Sequence, residues 1–424
     1  MWWYNAGIAL YEGALRVAAR FNPKAAAWVD NRRGLFERLA AAVGREEGVV
    51  WVHAASLGEF EQGRPVIEQL RREAPGTKIL LTFFSPSGYG ACRSYPGAEW
   101  VFSLPADRPR NARRFMDIVR PRMAIFIKYE FWLNYLGELK RRHCPALLVS
   151  AHFMPGSVFF RPWGGAFRRA LGCFTRIFVQ DEASVRLLRG IGIESEAAGD
   201  TRFDRVAEIA AAAGGAEGVD IFRDGRALIV AGSTWPPDED ILLPLIEAHP
   251  ETKFIIAPHE LHGARLARLA ARLGRRAVLY SRCREARRLR EAQVLIVDTV
   301  GLLSTLYRYA SAAYIGGGFG AGIHNTLEAA AYGVPAAFGP NHGKFPEALG
   351  LIACGGARSV GSAADLEAWF SSLQADPALR ERAGRAAARY VAAHRGATRR
   401  ITDFIMQRYA AAAAPCADEE AACR

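Results

Sequence analysis

The chain has 424 residues, of which half are hydrophobic and about a quarter are charged. This length predicts two domains of roughly 200 residues, and the composition excludes a disordered or fibrous chain. The net charge of +12 favours an anionic partner such as a phosphorylated small molecule, nucleic acid or an anionic membrane surface. Seven scattered cysteines without a CxxC motif favour reduced thiols over a zinc site or disulfides.

Residues 1–30 are predicted to form an amphipathic helix on a membrane surface. The segment begins MWWYNAGIALYEGALRVAARF, in which aromatic and apolar residues are interrupted by Glu12, Arg16 and Arg20. About 20 uninterrupted apolar residues are needed to cross a bilayer, so this segment is not expected to span it. No small-residue cleavage site follows, which argues against a removed signal peptide. Aromatics with arginines are typical of a helix lying in the membrane surface, and a helix packed on its own domain is an equally open alternative.

From residue 31 onward, short β-rich runs alternate with longer helical patterns. The first series is GVVWVHAAS, KILLTFF, MAIFIKY, PALLVSAHF and RIFVQD, and the second is ALIVAGS, KFIIAPH, RAVLYS, QVLIVDT, AAYIGGG and VPAAFGP. Nearly continuous apolar strands separated by helices indicate parallel sheets covered on both faces. We therefore predict an α/β protein with two Rossmann-like, doubly wound domains facing a cleft. They comprise residues 31–205 and 206–395, with a linker near 204–225, and a C-terminal helix and flexible tail occupy 396–424.

Ligands of doubly wound sheets bind beyond the carboxyl ends of the strands. Four segments there combine small polar residues with a helix start: AASLGE, AGSTWPPDED, VDTVGLL and IHNTLE. Ser56 with Glu59, and Asn325 with Glu328, also have the spacing of capping boxes, and prolines with acids open helices. Four such segments together favour helix N-termini directed at an anion.

The glycine cluster GGGFGAG at 316–322 predicts that a ligand phosphate approaches the backbone closely. It lacks the acidic residue that a dinucleotide ribose would need. GPNHGKF is one residue short of a P-loop and lacks its Ser/Thr. NAD and ATP chemistry are therefore not supported, and no cofactor is expected. The absence of an Asp-x-Asp motif or a His/Asp cluster predicts that no metal is required.

Together these segments resemble one bacterial family. VHAASLGEF, TFFSPSGY, YEFWLNYL, AGDTRFD, AGSTW, APHE, VDTVGLL and GGGFGAGIHNTLEAAAYGVPAAFGP are similar, in order, to segments of 3-deoxy-D-manno-octulosonate (Kdo) transferases. The resemblance implies the GT-B glycosyltransferase fold and transfer of Kdo from CMP-Kdo to the lipid A precursor, lipid IVA, in lipopolysaccharide assembly. It also implies a location on the cytoplasmic face of the inner membrane, at its anionic surface.

The resemblance assigns roles to individual residues. It implies that Glu59 is the general base of an inverting single displacement, and the capping box with Ser56 remains the alternative for this residue. It implies that CMP is bound by Pro258, His259, Val300, Gly301, Leu302, Asn325, Thr326, Leu327 and Glu328. Further candidates for the site are Ser56, Gly58, Glu130, Ser233, Thr234, Gly317, Gly318 and His324. Glu130 is the next candidate for the base, and Lys128 stands where the family commonly has an acid.

Two arginine-rich segments and two rival functions remain. Charged runs such as Arg265, Arg268 and Arg272 are expected to be solvated faces or surfaces toward an anionic membrane.

One rival to the Kdo transferase function is another GT-B nucleotide-sugar enzyme, such as a UDP-sugar transferase or epimerase. The other is a non-catalytic nucleic-acid-binding protein. No nucleic acid partner is expected, because no RNA-binding motif is present and the arginines are not interleaved with aromatics.

Overall fold

The computed structural model describes residues 2–212, 214–282 and 285–411. They divide into two compact units. The first contains residues up to Asp204 together with those from Arg395 onward, and the second is Arg205–His394. The flexible tail predicted beyond residue 411 lies outside the described residues.

The first unit opens with three helices and then alternates strands and helices. Its elements are α1 (Trp2–Ala18), α2 (Pro23–Asp30), α3 (Leu35–Val43), β1 (Val50–Ala54), α4 (Leu57–Glu73), β2 (Ile79–Phe83), α5 (Pro86–Cys92), β3 (Trp100–Ser103), α6 (Pro109–Val119), β4 (Met123–Ile127), α7 (Leu133–Arg141), β5 (Ala146–Ala151), α8 (Gly165–Leu171), β6 (Arg176–Val179), α9 (Glu182–Arg189) and β7 (Glu196–Ala197). Helix α10 (Thr201–Ala212) crosses the division between the units.

The seven strands of the first unit form one parallel sheet in the order β3-β2-β1-β4-β5-β6-β7. In the register of β1, Val52 lies opposite Leu81 of β2 on one side and Ile125 of β4 on the other. The chain therefore proceeds in opposite directions from β1, and the crevice of the sheet opens between the carboxyl ends of β1 and β4. Strands β1 and β4 are buried throughout, as their continuous apolar sequences predict.

The second unit repeats this plan. Its elements are α11 (Val219–Arg223), β8 (Leu228–Thr234), α12 (Pro236–Ala248), β9 (Lys253–Pro258), α13 (Gly263–Leu273), β10 (Ala277–Leu279), α14 (Ala286–Glu291), β11 (Val294–Ile296), α15 (Leu303–Leu306), β12 (Ala312–Ile315), α16 (Leu327–Ala331), β13 (Ala336–Phe338), α17 (Pro346–Ala353), β14 (Ala357–Ser359), α18 (Ala363–Ala375) and α19 (Pro377–Ala393). The parallel sheet has the order β10-β11-β9-β8-β12-β13-β14, so its crevice opens between β8 and β12. Two doubly wound α/β units confirm the predicted fold class.

The predicted linker is more ordered in the structure than the sequence analysis proposed, and the predicted C-terminal helix is an integral part of one unit. The segment predicted as a linker contains α10 and α11, because its alanine-rich sequence is a good helix former. The C-terminal helix α20 (Ala397–Ala411) belongs to the first unit, where Ile401 and Ile405 are buried in the core shared with α4. Asp204 accepts the backbone N–H groups of Gly396 and Thr398 at 2.7 and 2.8 Å. These contacts fix α20 on the helix that carries Glu59.

Helix α1 turns polar residues toward the protein and apolar residues outward. The Tyr4 hydroxyl donates to Asp107 at 2.7 Å, and the buried Glu12 carboxylate lies 2.7 Å from Arg108. The exposed large apolar side chains of α1 and the residues after it are Trp2, Trp3, Leu10, Tyr11, Val17 and Phe21. This is the reverse of the amphipathic pattern of an ordinary surface helix. Within the described residues, no helix has both the length and the apolar character needed to span a bilayer.

Candidate active site

Glu59 lies just beyond the carboxyl end of β1, in the first turn of α4. Ser56 is the N-cap of this helix. Its hydroxyl accepts from the Glu59 N–H at 3.4 Å, and Glu59 Oε2 accepts from the Ser56 N–H at 3.0 Å. The predicted capping box is confirmed. Both hydrogen bonds from Ser56 go to Oε2, so Oε1 is the oxygen placed to receive a further proton.

The surroundings of Glu59 favour its protonated form. Burial, followed by the negative charge of Glu130, raises the pKa of Glu59, against opposing hydrogen bonds from Ser56 and the opposing charge of His53. A carboxylate whose pKa is raised toward the working pH is a better general base. Cap and base are therefore compatible roles for this residue.

Glu130 follows β4 and is only 6% exposed. Its Oε2 lies 3.0 Å from His53 Nε2 and also accepts from the indole N–H of Trp132. His53 is fully buried in β1, and its Nδ1 lies 3.0 Å from the Thr82 carbonyl oxygen. Glu130 is therefore held within the sheet edge and is poorly placed to meet an acceptor directly. Sequence reasoning missed His53, and its only signal was a polar residue inside an apolar strand.

Three non-glycine residues have left-handed backbone at the ends of strands. They are Lys128 after β4, Ser150 in β5 and Ser233 in β8, with φ values of 65°, 55° and 53°. Ser233 lies within a register shift between Gly232 and Thr234. Such conformations cost about 1–3 kcal/mol each and cluster at functional sites. The conformation of Ser233 therefore supports its place among the candidates.

In the second unit, three rings stack beyond the ends of β8 and β9. The ring centroids of Trp235 and His259 are 4.9 Å apart with planes at 28°, and those of His259 and His324 are 4.3 Å apart at 23°. The Trp235 indole N–H donates to His324 Nε2 at 3.0 Å. The structure thus brings together the predicted residues His259 and His324. It also adds Trp235, which sequence reasoning did not single out. Pro258, the last residue of β9, is buried and directly precedes His259 of the stack.

His324 is held in its neutral form. Burial, followed by the charge of His259, lowers the pKa of His324 to about 4. Because Nε2 accepts from Trp235, the single ring proton resides on Nδ1. His324 can therefore donate one hydrogen bond from Nδ1 throughout the neutral pH range, as a ligand phosphate would require.

The first glycines of the cluster at 316–322 are required by the packing of the chain on itself. Gly317 has φ 92°, and its N–H donates at 2.9 Å to the buried carboxylate of Asp238. A Cβ on Gly318 would lie 2.5 Å from the backbone nitrogen of Gly339. Close packing against neighbouring backbone therefore accounts for glycine at both positions. The predicted approach of a ligand phosphate to this cluster stays a prediction.

Helix α16 begins two residues after Asn325, with Thr326 as its N-cap. The Asn325 side chain accepts from the Leu327 N–H at 3.1 Å and donates to Glu328 Oε1 at 3.0 Å. The capping box offered as the alternative for Asn325 and Glu328 is not formed, because Thr326 is the N-cap and Glu328 accepts from the Asn325 side chain instead. The side chains of Thr326 and Leu327 are fully buried, so they position this turn from within the core.

Val300, Gly301 and Leu302 lie between β11 and α15. Because β11 pairs with β9, this segment emerges at the strand end next to that of Pro258 and His259. Val300 is 91% exposed and Gly301 has φ 92°, whereas Leu302 packs against the core. The segment therefore offers an apolar side chain and open backbone at the sheet edge.

Arg265 differs from the solvated arginine predicted for its segment. It is buried, and its Nη2 donates at 2.8 Å both to Glu239 and to the Thr234 carbonyl. Its guanidinium lies 5.6 Å from the centre of the Trp235 ring. Arg265 pairs with Glu239 inside the unit, so it is not a solvated surface charge. Its contacts support the turn that carries Trp235.

Comparisons with known proteins agree with the motifs. Residues 29–205 match the family described as 3-deoxy-D-manno-octulosonic-acid transferase (kdotransferase). A 3-deoxy-D-manno-octulosonic acid transferase of Bordetella pertussis is 31% identical over 386 residues, covering 84% of this chain and 86% of that protein. One from Haemophilus influenzae is 26% identical with the same coverage of both chains.

Solved structures of low sequence identity share the fold. A UDP-N-acetylglucosamine 2-epimerase of Listeria monocytogenes, described as putative, has a TM-score of 0.60 and 13% identity, covering 87% of this chain and 98% of that one. The UDP-GlcNAc 2-epimerase of Neisseria meningitidis has a TM-score of 0.60 and 15% identity, with coverage of 85% and 99%. These likenesses support the GT-B fold alone, and the family rests on the transferases. The chain therefore belongs to the 3-deoxy-D-manno-octulosonic acid (Kdo) transferase family and is a glycosyltransferase.

Proposed function

We propose that the protein transfers Kdo from CMP-Kdo to a hydroxyl of the lipid A precursor, lipid IVA, with release of CMP. Glu59 acts as the general base of an inverting single displacement. The observation that carries this proposal is the position of Glu59 at the crevice of the first sheet, with its pKa raised by burial and by Glu130. A carboxylate there has both the location and the proton affinity that the reaction needs.

The chemistry balances with residues of this chain alone. Glu59 takes the proton of the acceptor hydroxyl while that oxygen forms a bond to the anomeric carbon of Kdo. The bond between that carbon and the CMP phosphate breaks, and CMP leaves as an anion. Attack from the face opposite the leaving group inverts the anomeric centre. Donors aimed at the departing phosphate stabilise the charge as it develops.

The second unit is proposed to bind the CMP portion of the donor. The Nδ1–H of His324 donates to the phosphate, and the nearby stack of Trp235 and His259 gives the ring its orientation. Glu328, held at one oxygen by Asn325, accepts from a ribose hydroxyl. The segment Val300–Leu302, on the neighbouring strand end, packs against the nucleoside.

The outward face of α1 is proposed to bind the anionic cytoplasmic surface of the inner membrane. Its exposed stripe includes two tryptophans and Leu10, which is 77% exposed. The polar anchors of α1, such as Tyr4 on Asp107, face the protein and fix this orientation. An interfacial helix with aromatic side chains binds the boundary between headgroups and acyl chains. This placement brings the enzyme to a lipid acceptor.

The transfer reaction is tested by incubating the protein with CMP-Kdo and a tetraacylated lipid A precursor and reading product masses. The proposal expects acceptor mass to increase by whole Kdo residues, with an equal amount of CMP released. UDP-N-acetylglucosamine, offered in parallel, should be left unchanged. Turnover of the UDP-sugar without any Kdo transfer would contradict the proposal. Nuclear magnetic resonance of the product would show inversion or retention.

Membrane binding is tested by flotation with vesicles of anionic phospholipid. Leu10→Asp should weaken binding at least several-fold, because it places a charge on the face of α1 that would enter the membrane interface. Leu349→Asp is the matched control, since Leu349 is an exposed leucine of the second unit. Equal flotation of the two variants would contradict the role of α1.

A further inference from the structure

We propose that a cavity beside α1 binds the phosphate ester of a membrane lipid through Arg32. The inference rests on the proposed membrane-binding face of α1 and adds to it a specific site for a lipid headgroup. The cavity has a volume of about 370 Å³, and ligand pockets commonly measure about 300–1,000 Å³. Residues of α1, α2, α3, the turn after α2, the segment after β3 and the start of α6 line it. We call it the α1–α3 cavity.

The floor of the α1–α3 cavity is apolar and its mouth is basic. The apolar residues of the lining are Trp28, Val29, Leu35, Phe36, Pro105 and Ala106. Trp28 and Leu35 are buried, whereas the side chains of Arg16 and Arg33 are largely exposed. Asn111 contributes the one side-chain amide of the lining, and it donates to the Ala106 carbonyl oxygen at 2.9 Å. The lining therefore suits an anionic group with an apolar neighbour, as in a phospholipid headgroup, better than a sugar with several hydroxyls.

Positive charge exceeds negative charge in this lining. It contains three arginines, Arg16, Arg32 and Arg33, and one carboxylate, that of Glu12. The carboxylate is already shared, because Glu12 lies 2.6 Å from Arg16 and 2.7 Å from Arg108. Arg33 pairs with Asp30 at 3.3 Å. The charge left over is therefore that of Arg32.

Arg32 combines this charge with open hydrogen-bond donors. Its guanidinium donates to three backbone carbonyl oxygens, those of Trp28, Phe84 and Leu104, at 2.9 to 3.0 Å. Among the described residues, no carboxylate pairs with it. A guanidinium has five N–H donors, so two are left for a ligand. Burial lowers the pKa of Arg32 to about 9, and an anion at the two open donors would stabilise the charged form. Because buried charges are normally paired, a phosphate is the group that would complete the pairing here.

The position of the cavity points to a lipid as the source of the phosphate. Glu12 and Arg16 line it from α1, the same helix that exposes Leu10 and Val17. An interfacial helix lies at the boundary between headgroups and acyl chains, so a cavity beside it is close to the lipid phosphates. Two lipids carry such a group: a phospholipid of the bilayer and the phosphorylated lipid acceptor of the proposed reaction.

The test uses dihexanoylphosphatidylglycerol, a short-chain anionic phospholipid, as a monomeric probe. Binding to the full chain is followed by calorimetry and by the ¹⁵N-labelled indole signal of Trp28, assigned by its absence in Trp28→Phe. The Trp28 ring lies 3.9 Å from the Arg32 guanidinium, so this signal should shift on binding. Inorganic phosphate should bind at least about tenfold more weakly, because it leaves the apolar floor uncovered. An unmoved Trp28 signal at saturation, or equal affinity for inorganic phosphate, would overturn the assignment.

Val29→Glu tests the site without removing any contact of Arg32. Val29 also lines the cavity and lies three residues before Arg32, so a carboxylate there can pair with the guanidinium and repel a phosphate. Affinity for the probe should fall at least about tenfold, the scale of one hydrogen bond between charged groups. Val29→Gln, with the same shape and no charge, should keep affinity within about twofold. Denaturant unfolding should show Val29→Glu at least as stable as Val29→Gln, and equal affinity in the two variants would contradict the site.

Arg20→Gln is the control for general electrostatic attraction. It lowers the net charge by the same amount as Val29→Glu, and Arg20 is an exposed residue that follows α1 and does not line the cavity. Its affinity for the probe should stay native, and a loss as large as that of Val29→Glu would show diffuse attraction in place of a site.

Two further measurements on Val29→Glu identify the source of the phosphate. A bilayer phospholipid predicts weaker flotation with anionic vesicles and native kcat/KM for an acceptor presented in detergent. The acceptor's own phosphate predicts that kcat/KM falls at least several-fold through a higher KM. If neither changes, the inference is wrong. Binding of the monomeric probe requires neither transfer nor insertion of α1, so probe binding combined with native flotation of Leu10→Asp would retain the cavity site and refute the membrane role of α1.

Discussion

Replacing Gly58 with alanine is expected to stabilise the protein while reducing its turnover. Gly58 is the second residue of α4, beside Glu59, and is exposed; a Cβ built there meets no atom within 4 Å. Alanine is favoured over glycine in a helix by about 0.5–1 kcal/mol, and nothing in the fold opposes that gain. If the acceptor reaches Glu59 across this backbone, however, the methyl group added by Gly58→Ala displaces the acceptor. Misplacement on that scale should reduce kcat/KM about 10- to 100-fold.

The assay pairs denaturant unfolding with steady-state rates for Gly58→Ala and a matched control. Gly137→Ala is the control, because Gly137 lies in α7, is exposed, and also has open space at its Cβ. Both variants should gain stability, and only Gly58→Ala should lose activity. Native turnover in Gly58→Ala would refute the reasoning that the acceptor passes over this residue.

Three further predictions concern proton linkage, the nucleotide and metals. Burial raises the pKa of Asp107 to about 6 from 3.8. The stability that Asp107 contributes is therefore present below about pH 4 and is lost, by about 3 kcal/mol, as pH rises through 6. Asp107→Asn should flatten the dependence of unfolding free energy on pH in this window, and the same slope in the variant and the native protein would contradict the assignment. Glu328→Ala should weaken CMP binding by about 1–3 kcal/mol in calorimetry, because a ribose hydroxyl loses its acceptor, and unchanged affinity would leave Glu328 only its bond to Asn325. Activity should persist in excess EDTA, because the proposed reaction uses Glu59 and His324 of this chain for the proton and the phosphate. Loss of activity restored by magnesium would contradict this.

The sequence predicted the central strands better than the edge strands, for a physical reason. All eleven runs read as strands form strands. Ten of them lie inside their sheets, where burial on both faces keeps the apolar pattern continuous, and the eleventh, β10, is an edge strand. β3, β7 and β14 were not predicted. Each lies at a sheet edge with partly exposed residues, as in the Ala-Arg-Ser sequence of β14, so the pattern is interrupted.

The candidate site was predictable only where local sequence carries the signal. Ser56 and Glu59 are three residues apart, and their capping box can be recognised from that spacing. His53 and Glu130 are 77 residues apart and meet because β1 pairs with β4. Trp235 and His324 are 89 residues apart, and this separation hides their hydrogen bond in the same way. Partners that depend on strand order become visible only in the folded structure.

The central claim is that Glu59 takes the acceptor proton, and the most direct measurement is the turnover of Glu59→Gln. Glutamine keeps an oxygen that can accept from the Ser56 N–H, so unfolding stability should change by no more than about 1 kcal/mol, the scale of a lost cap. Affinity for CMP-Kdo should stay native, since Glu59 is assigned to the acceptor. Under these conditions the account predicts that turnover falls by about two to four orders of magnitude. Turnover within tenfold of native, in a variant with native donor affinity, would contradict it.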